Sequence, residues 1–499
     1  MSRTLKQFLT ALLGGFVALS LVLLVHAQDQ SGFISIDCGL PENSSYVEST
    51  TGINYISDAA FIDIIGESKL MLPEYRKFYR EPYISLRSFP QGIRNCYKIN
   101  VTSGTKYLIR ALFYYGNYDG QSKLPEFELH LGLNLWGSVT FEKASTPPST
   151  PFREKELIHV PLRSYIHVCL VNTGSGVPFI SAIELRPLPN ASYPTQTPKE
   201  SLALDWRYDT GIPKDIHDRF WEPFEREDLT QIGTSSALNS GSNTLYQVPS
   251  GVMCTAAMPK LASVPLNFSW PHADNNESYY MYMHFAEVQK LQANQSRQMY
   301  VTKNGEPFIE PFTPKYLYTT TVDSGAMSGG INNFSIFTAK NSVLSPILNA
   351  IEMYMVKQFL QSETNQEDVD AITNIKSTYK IRKNWQGDPC APQVYSWEGL
   401  NCSYHENDSP RIISFYGTCN QGLVLEWINW GDFSFHNRPR NDPKIELIKQ
   451  QLNRVNSRLF VSTAKFKCHK LGEQQIHRLS SSRTHYKNEE RFAIIKSLN

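Results

Sequence analysis

The feature that most constrains this chain is that it repeats itself. Pro178, Ala182, Ile183 and Glu184 are answered by Pro346, Ala350, Ile351 and Glu352, and Ile36 with Asp37 by Leu204 with Asp205, all at an offset of 168 residues. Tyr107, Ile109, Ala111 and Phe113 recur 172 residues on as Tyr279, Met281, Met283 and Phe285. Such constant spacing describes two tandem homologous domains, not one large one. The repeated pieces read as strands, because Tyr107 to Phe113 alternates with Leu108, Arg110 and Leu112, and Phe127, Leu129, Leu131 and Leu133 alternate with Glu128, His130 and Gly132. With 26 Tyr, 26 Phe and 8 Trp to fill pleated surfaces, the expected fold class is mainly β. Two antiparallel β-sandwiches are expected over 28–188 and 199–358. Pro187, Pro189, Pro194 and Pro198 mark a short stiff link between them. The junction of two domains is a natural concave site for a ligand.

The amino terminus reads as an export signal: Arg3 and Lys6, an apolar run from Phe8 to Val25, then Val25, His26 and Ala27 as a cleavage site, giving a signal peptide over 1–27. The competing reading is an uncleaved anchor, since the run is about long enough to span a bilayer. No later run reaches about 18 apolar residues, so no membrane span is expected after cleavage. The expected location is the secretory pathway, and from there the extracellular space or cell surface. Asn43, Asn100, Asn190, Asn267, Asn276, Asn294, Asn333 and Asn401 head Asn-x-Ser/Thr triplets and are expected to be glycosylated on water-facing loops. Asn407 is a weaker match because Pro410 follows Ser409.

In an oxidising compartment the eight cysteines favour disulfides over metal ligation, and no CxxC pair suggests a metal site. Cys390 and Cys402 are the closest pair and the best candidates to bridge, whereas Cys38, Cys96, Cys169 and Cys254 allow three pairings. The 48 basic against 47 acidic residues leave a net +1, with no field that steers the chain to nucleic acid. No nucleotide-binding, metalloprotease or serine-hydrolase motif is present, and neither a catalytic residue nor a cofactor is expected. Asp205, Asp209, Asp215 and Asp218 invite a glycosidase reading, but Trp206, Arg207, Lys214, His217 and Arg219 among them read as an ion-paired loop.

After Val356, Thr364 and Glu367 form a capping box, and Val369, Ile372, Ile375 and Tyr379 form a helical stripe. Beyond it stand Asn384, Trp385, Gln386, Gly387, Asp388, Pro389 and Cys390, then Trp397, Glu398, Gly399, Leu400, Asn401 and Cys402. This pattern resembles the amino-terminal cap of plant leucine-rich-repeat receptors, in which two cysteines and a tryptophan close the open end of a solenoid. Preceded by a doubled sandwich, residues 30 to 415 resemble the ectodomain of the plant malectin-like leucine-rich-repeat receptor kinases. Phe33 to Gly39, Arg87 to Tyr97 with Phe89, Pro90, Gly92, Arg94, Asn95 and Cys96, and Asp205 to Trp221 carry further likeness. The resemblance implies two tandem malectin-like domains, then a helix and cap-like segment over 362–415. It implies a non-enzymatic extracellular module that binds a cell-wall glycan, a peptide ligand or a co-receptor ectodomain. A secreted carbohydrate-active enzyme and an inert truncated fragment are the alternatives.

The chain departs from this family after Pro410 to Ser414, where neither repeats, a membrane helix nor a kinase motif follows. Residues 416–499 carry 14 Lys and Arg against 7 Asp and Glu, and read as a divergent basic, poorly structured tail of a truncated product or faulty gene model. Within the first sandwich, Tyr114, Tyr115, Asn117, Tyr118 and Asp119 mix aromatic faces with amide and carboxylate groups in one loop, as sugar recognition requires. The resemblance to animal malectin sets Asn117 and Tyr118 at glucose-contacting positions. Their counterparts in the second copy, Gln289 and Lys290, imply that no such sugar site is repeated there.

Overall fold

The structure, a computed structural model, describes residues 30–63, 66–142, 149–210, 219–238, 245–272, 276–378, 381, 383–405, 408–418 and 424–428. The expected signal peptide, Asn407, Cys419, Cys468 and most of the basic tail lie outside the described residues. The chain folds as two compact units that part between Leu360 and Gln361.

The first unit contains the duplication as a repeated strand order. In the first copy Ile34–Asp37, Ala182–Leu188, Lys106–Tyr114 and Phe152–His159 lie side by side, and in the second Glu200–Asp209, Ala350–Gln358, Ser278–Phe285 and Thr320–Ser328 do the same. A four-stranded sheet faces each set: Arg94–Asn100, Tyr165–Ser175, Glu126–Leu131 and Asn134–Val139 in one copy, Leu266–His272, Gly330–Thr338, Met299–Lys303 and Glu306–Phe312 in the other. Ile109, Ala111, Phe113, Phe127, Leu129 and Val168 pack one core, and Tyr279, Met281, Met283, Phe285, Phe334 and Ile336 the other. Fully burying each of the larger aliphatic and phenyl side chains among them is worth about 1.5–3 kcal/mol. Cys96 and Cys169 stand opposite each other in register and form a disulfide, which resolves the open pairing; Cys38 is buried and unbridged, and Cys254 is half-buried and unbridged.

The two sandwiches are not beads on a stiff link. Phe152–His159 pairs with Glu200–Asp209, Leu157 opposite Ala203 and Ile158 opposite Leu202, so the large sheets fuse into one sheet of eleven strands. The proline-rich link folds back over the outer face of that sheet and buries Tyr193 to 1% exposure against Tyr246, Tyr282 and Tyr354. Lys106 holds it there by donating to the carbonyls of Asn190, Ser192 and Tyr193. Strands such as Lys106–Tyr114 are therefore buried on both faces, where alternation alone indicated one.

The second unit is built on the Trp and Cys pattern. Trp385 and Trp397 stack at 4.9 Å, Cys390 and Cys402 form a disulfide, and Ile372, Ile375, Ile412 and Phe415 complete the core. Its helix, Gln366–Thr378, begins one residue later than a Thr364 cap would set it. Asn365 accepts from the Glu367 amide, while the Thr364 hydroxyl donates to Asp388. The Asp388 carboxylate collects the amides of Thr364, Cys390 and Ala391 and so fixes the bend before the disulfide. Strand Arg411–Thr418 crosses the expected boundary at 415 and pairs with Val424–Ile428, so part of the stretch expected to be poorly structured extends this unit's sheet.

Candidate functional site

Lys106–Tyr114 ends in a tight turn through Gly116 and Asn117, at φ +47° and +48°. A Cβ on Gly116 would collide with Met71, so both conformation and packing require glycine there. Three of the five expected ligand residues hold this turn together. The Tyr115 hydroxyl donates to Asp119 at 2.6 Å, the Asn117 side-chain oxygen accepts from the Ser122 amide at 2.9 Å, and Asp119 also accepts from the Gln121 amide. Tyr115 is only 3% exposed, and the half-buried Tyr118 ring lies 5.1 Å from Phe179. Burial pushes the Tyr118 hydroxyl up to about 12.

Tyr114 faces elsewhere. Its ring stacks between Tyr83 at 4.3 Å and Phe152 at 5.4 Å, both within about 12° of parallel, with Tyr79 edge-on. Phe152, directly opposite Tyr114 in strand register, carries this row of rings into a cleft of about 480 Å³ between the two copies. Phe152, Trp206 and Phe220 give the cleft its aromatic walls; Glu142, Asp205 and Glu222 place exposed carboxylates in its lining. Asp205 is anchored by the Trp270 indole N–H at 3.0 Å.

The floor of the cleft is an ion ladder that crosses the fused sheet. Arg110 reaches Glu154 at 3.0 Å, Glu156 at 3.5 Å and Glu184 at 3.1 Å; Arg207 reaches Glu156 at 2.6 Å and Glu352 at 2.8 Å. Tyr55 donates to Glu184, and Tyr193 and Tyr354 donate to Glu352, with His284 at 3.1 Å. Glu184 and Glu352 are the two glutamates of the 168-residue repeat, each fully buried. Burial alone pushes the Glu352 carboxyl up, but Arg207 and His284 draw it well below the usual range. Glu154 differs: burial raises it to about 7 against the pull of Arg110.

Of the aspartates that suggested a glycosidase, Asp215 and Asp218 lie outside the described residues, and the Arg207 guanidinium expected among them pairs with Glu156 and Glu352. Among the described residues no group of His, Cys, Asp and Glu is arranged for a metal. In the second copy, Gln289 accepts from Arg297, which also pairs with Glu287 at 2.7 Å. Cys390 and Cys402 sit in the second unit. All eight sequon asparagines are exposed. Sequence reading passed over Phe152, Glu154 and Glu156, although two acids and an aromatic at alternate positions from Phe152 to Glu156 mark one face of a strand.

The malectin-like domain family model matches residues 36–356, almost the whole first unit. The chain belongs to the malectin-like domain family. This malectin-like chain is 45% identical over 406 residues to a leucine-rich repeat receptor-like protein kinase of Arabidopsis thaliana, covering 79% of the chain and 45% of that relative. It is 43% identical over 419 residues to the receptor-like serine/threonine-protein kinase PAM74 of the same plant, covering 81% and 46%. It thus spans about half the length of the curated relatives it matches. Its fold is that of the ANX2 ectodomain from Arabidopsis thaliana, with a TM-score of 0.54 at 17% identity over 65% of this chain and 97% of that one. A chain from the crystal structure of the plant peptide RALF23 in complex with FER and LLG2 matches with a TM-score of 0.52 at 16% identity, over 65% and 95%. Among the described residues no helix is long and apolar enough to cross a membrane.

Proposed function

We propose that the malectin-like unit is a non-enzymatic extracellular recognition module whose inter-copy cleft holds a positively charged peptide segment. The observation that carries this reading is the lining of the cleft. Exposed Asp205 and Glu222 stand beside the rings of Phe152, Trp206 and Phe220, and exposed Glu142 pairs with the half-buried Arg153 of the lining at 3.6 Å. Carboxylates pair with Lys or Arg, and aromatic faces attract the same cations. The buried arginines add no free positive charge, since Arg207 is matched to Glu156 and Glu352. Structural kinship with a protein crystallised with RALF23 and LLG2 supports a peptide or co-receptor partner. Eight exposed sequons behind an export signal support a place outside the cell.

One observation favours a second reading. The parallel rings of Tyr83, Tyr114 and Phe152 form a row on which a neutral cell-wall glycan could stack. The raised Glu154 next to Glu156 extends that reading to a glycosidase. One panel separates the three. The secreted chain is offered cationic peptides, neutral oligosaccharides and acidic oligosaccharides, with release of reducing ends monitored. Saturable binding of cationic peptides without release supports the proposal; preferential binding of neutral oligosaccharides, or release abolished by Glu154→Gln, replaces it.

A further inference from the structure

Two sequons lie side by side on the outer face of the second copy's four-stranded sheet. Asn267-Phe268-Ser269 and Asn333-Phe334-Ser335 occupy the antiparallel neighbours Leu266–His272 and Gly330–Thr338. Their register sets Asn267 opposite Ser335 and Ser269 opposite Asn333. Phe268 and Phe334 pack with the core while both asparagines are exposed, and Ser269 donates to the Asn333 side-chain oxygen at 2.7 Å. Beyond Ser335 on the same face, Phe337 pairs with Tyr300 of the next strand; their half-buried rings stack at 5.3 Å and 14°. With Thr302, Ser335 and, at its far end, Asn333 they line an open depression of about 650 Å³.

Phe337 is the diagonal neighbour of Asn267, about 7–8 Å away across the strand pair. From Asn333 it lies four residues along one strand, about 13 Å. A sugar ring attached to Asn267 therefore meets the aromatic pair first, its apolar face on the rings and its hydroxyls toward Thr302 and Ser335. Tethering gives that sugar an effective concentration which a free saccharide cannot match. We infer that the glycan on Asn267 folds down onto Tyr300 and Phe337, so that this face is covered by the chain's own sugar and is not a docking surface.

This inference rests on export through the secretory pathway. Full-length chain secreted from a glycosylating host is compared as wild type, Asn267→Gln, Tyr300→Ser/Phe337→Ser, and their combination, with Asn333→Gln in a parallel cycle. The inference expects Asn267 to be occupied by mass spectrometry, Asn267→Gln to lower Tm by about 2 °C or more, and its effect to vanish once Tyr300 and Phe337 are serine. The Asn333 cycle is expected to be additive. Occupied Asn267 with additive effects, or coupling to Asn333 alone, overturns the inference. Absence of glycan at every sequon overturns the export reading and the inference together.

Discussion

Glu154 and Glu156 stand two residues apart on one strand, both line the cleft and both reach the same guanidinium of Arg110, yet Glu154 is the more open, its side chain 17% exposed against 0% for Glu156. With its carboxyl near 7 and the unfolded value near 4.5, native Glu154 binds more protons than unfolded Glu154 between those limits. Its contribution to stability is complete below 4.5 and is lost as pH rises through 7. Buried His159, near 4, and His167, near 3, act oppositely in part of this window, because they are held neutral below their ordinary value. The clean readout is therefore the difference between Glu154→Gln and wild type. That difference in urea unfolding free energy is expected to shift in favour of the variant by about 1–3 kcal/mol between pH 4.5 and 7.5. A difference independent of pH would place the raised affinity for protons elsewhere. At this scale the sequence was partly legible. Tyr114 to Asp119 were visible as a turn rich in hydrogen-bonding groups, but which of them face inward was not. Phe179, which draws in Tyr118, lies more than sixty residues away in the chain.

Among elements, the strands were read well because alternation and repeat spacing depend on local order, while pairing across the copies depends on distant register. Nothing in Phe152 to His159 or Glu200 to Asp209 announces that they join two sandwiches into one sheet. Local competition for hydrogen bonds likewise moved the helix cap from Thr364 to Asn365, because Asp388, far along the chain, takes the threonine. Asn365→Ala is therefore expected to cost about 1 kcal/mol of second-unit stability, the usual worth of a cap. Circular dichroism melts of the variant against wild type check it, and an unchanged melt would return the cap to Thr364. In the first unit, replacing Cys96 and Cys169 by Ala releases a 73-residue loop and is expected to lower stability by about 4 kcal/mol on the chain-entropy view, read by denaturant titration.

Across the whole first unit, the ion ladder ties the copies together. Arg207 from the second copy bonds Glu156 of the first and Glu352 of its own. Removing one partner from such a buried set leaves uncompensated charge, so Arg207→Met is expected to cost about 3–5 kcal/mol, with Glu156→Gln in the same chain restoring part of it. Calorimetry is expected to show one transition for the first unit of the wild type and two once the ladder is cut; one sharp transition in the variant would mean that the fused sheet alone couples the copies. The same ladder neutralises the arginines beneath the cleft and leaves the exposed carboxylates to set its character, a property no single segment of sequence displays. The most direct test is titration calorimetry of the secreted chain with a synthetic polyarginine peptide and with an acidic oligogalacturonate, repeated with Asp205→Asn/Glu222→Gln. Saturable, salt-sensitive binding of polyarginine alone, weakened at least about tenfold in the variant, is the expected result. Binding of the acidic saccharide, or polyarginine binding untouched by the two substitutions, would contradict it.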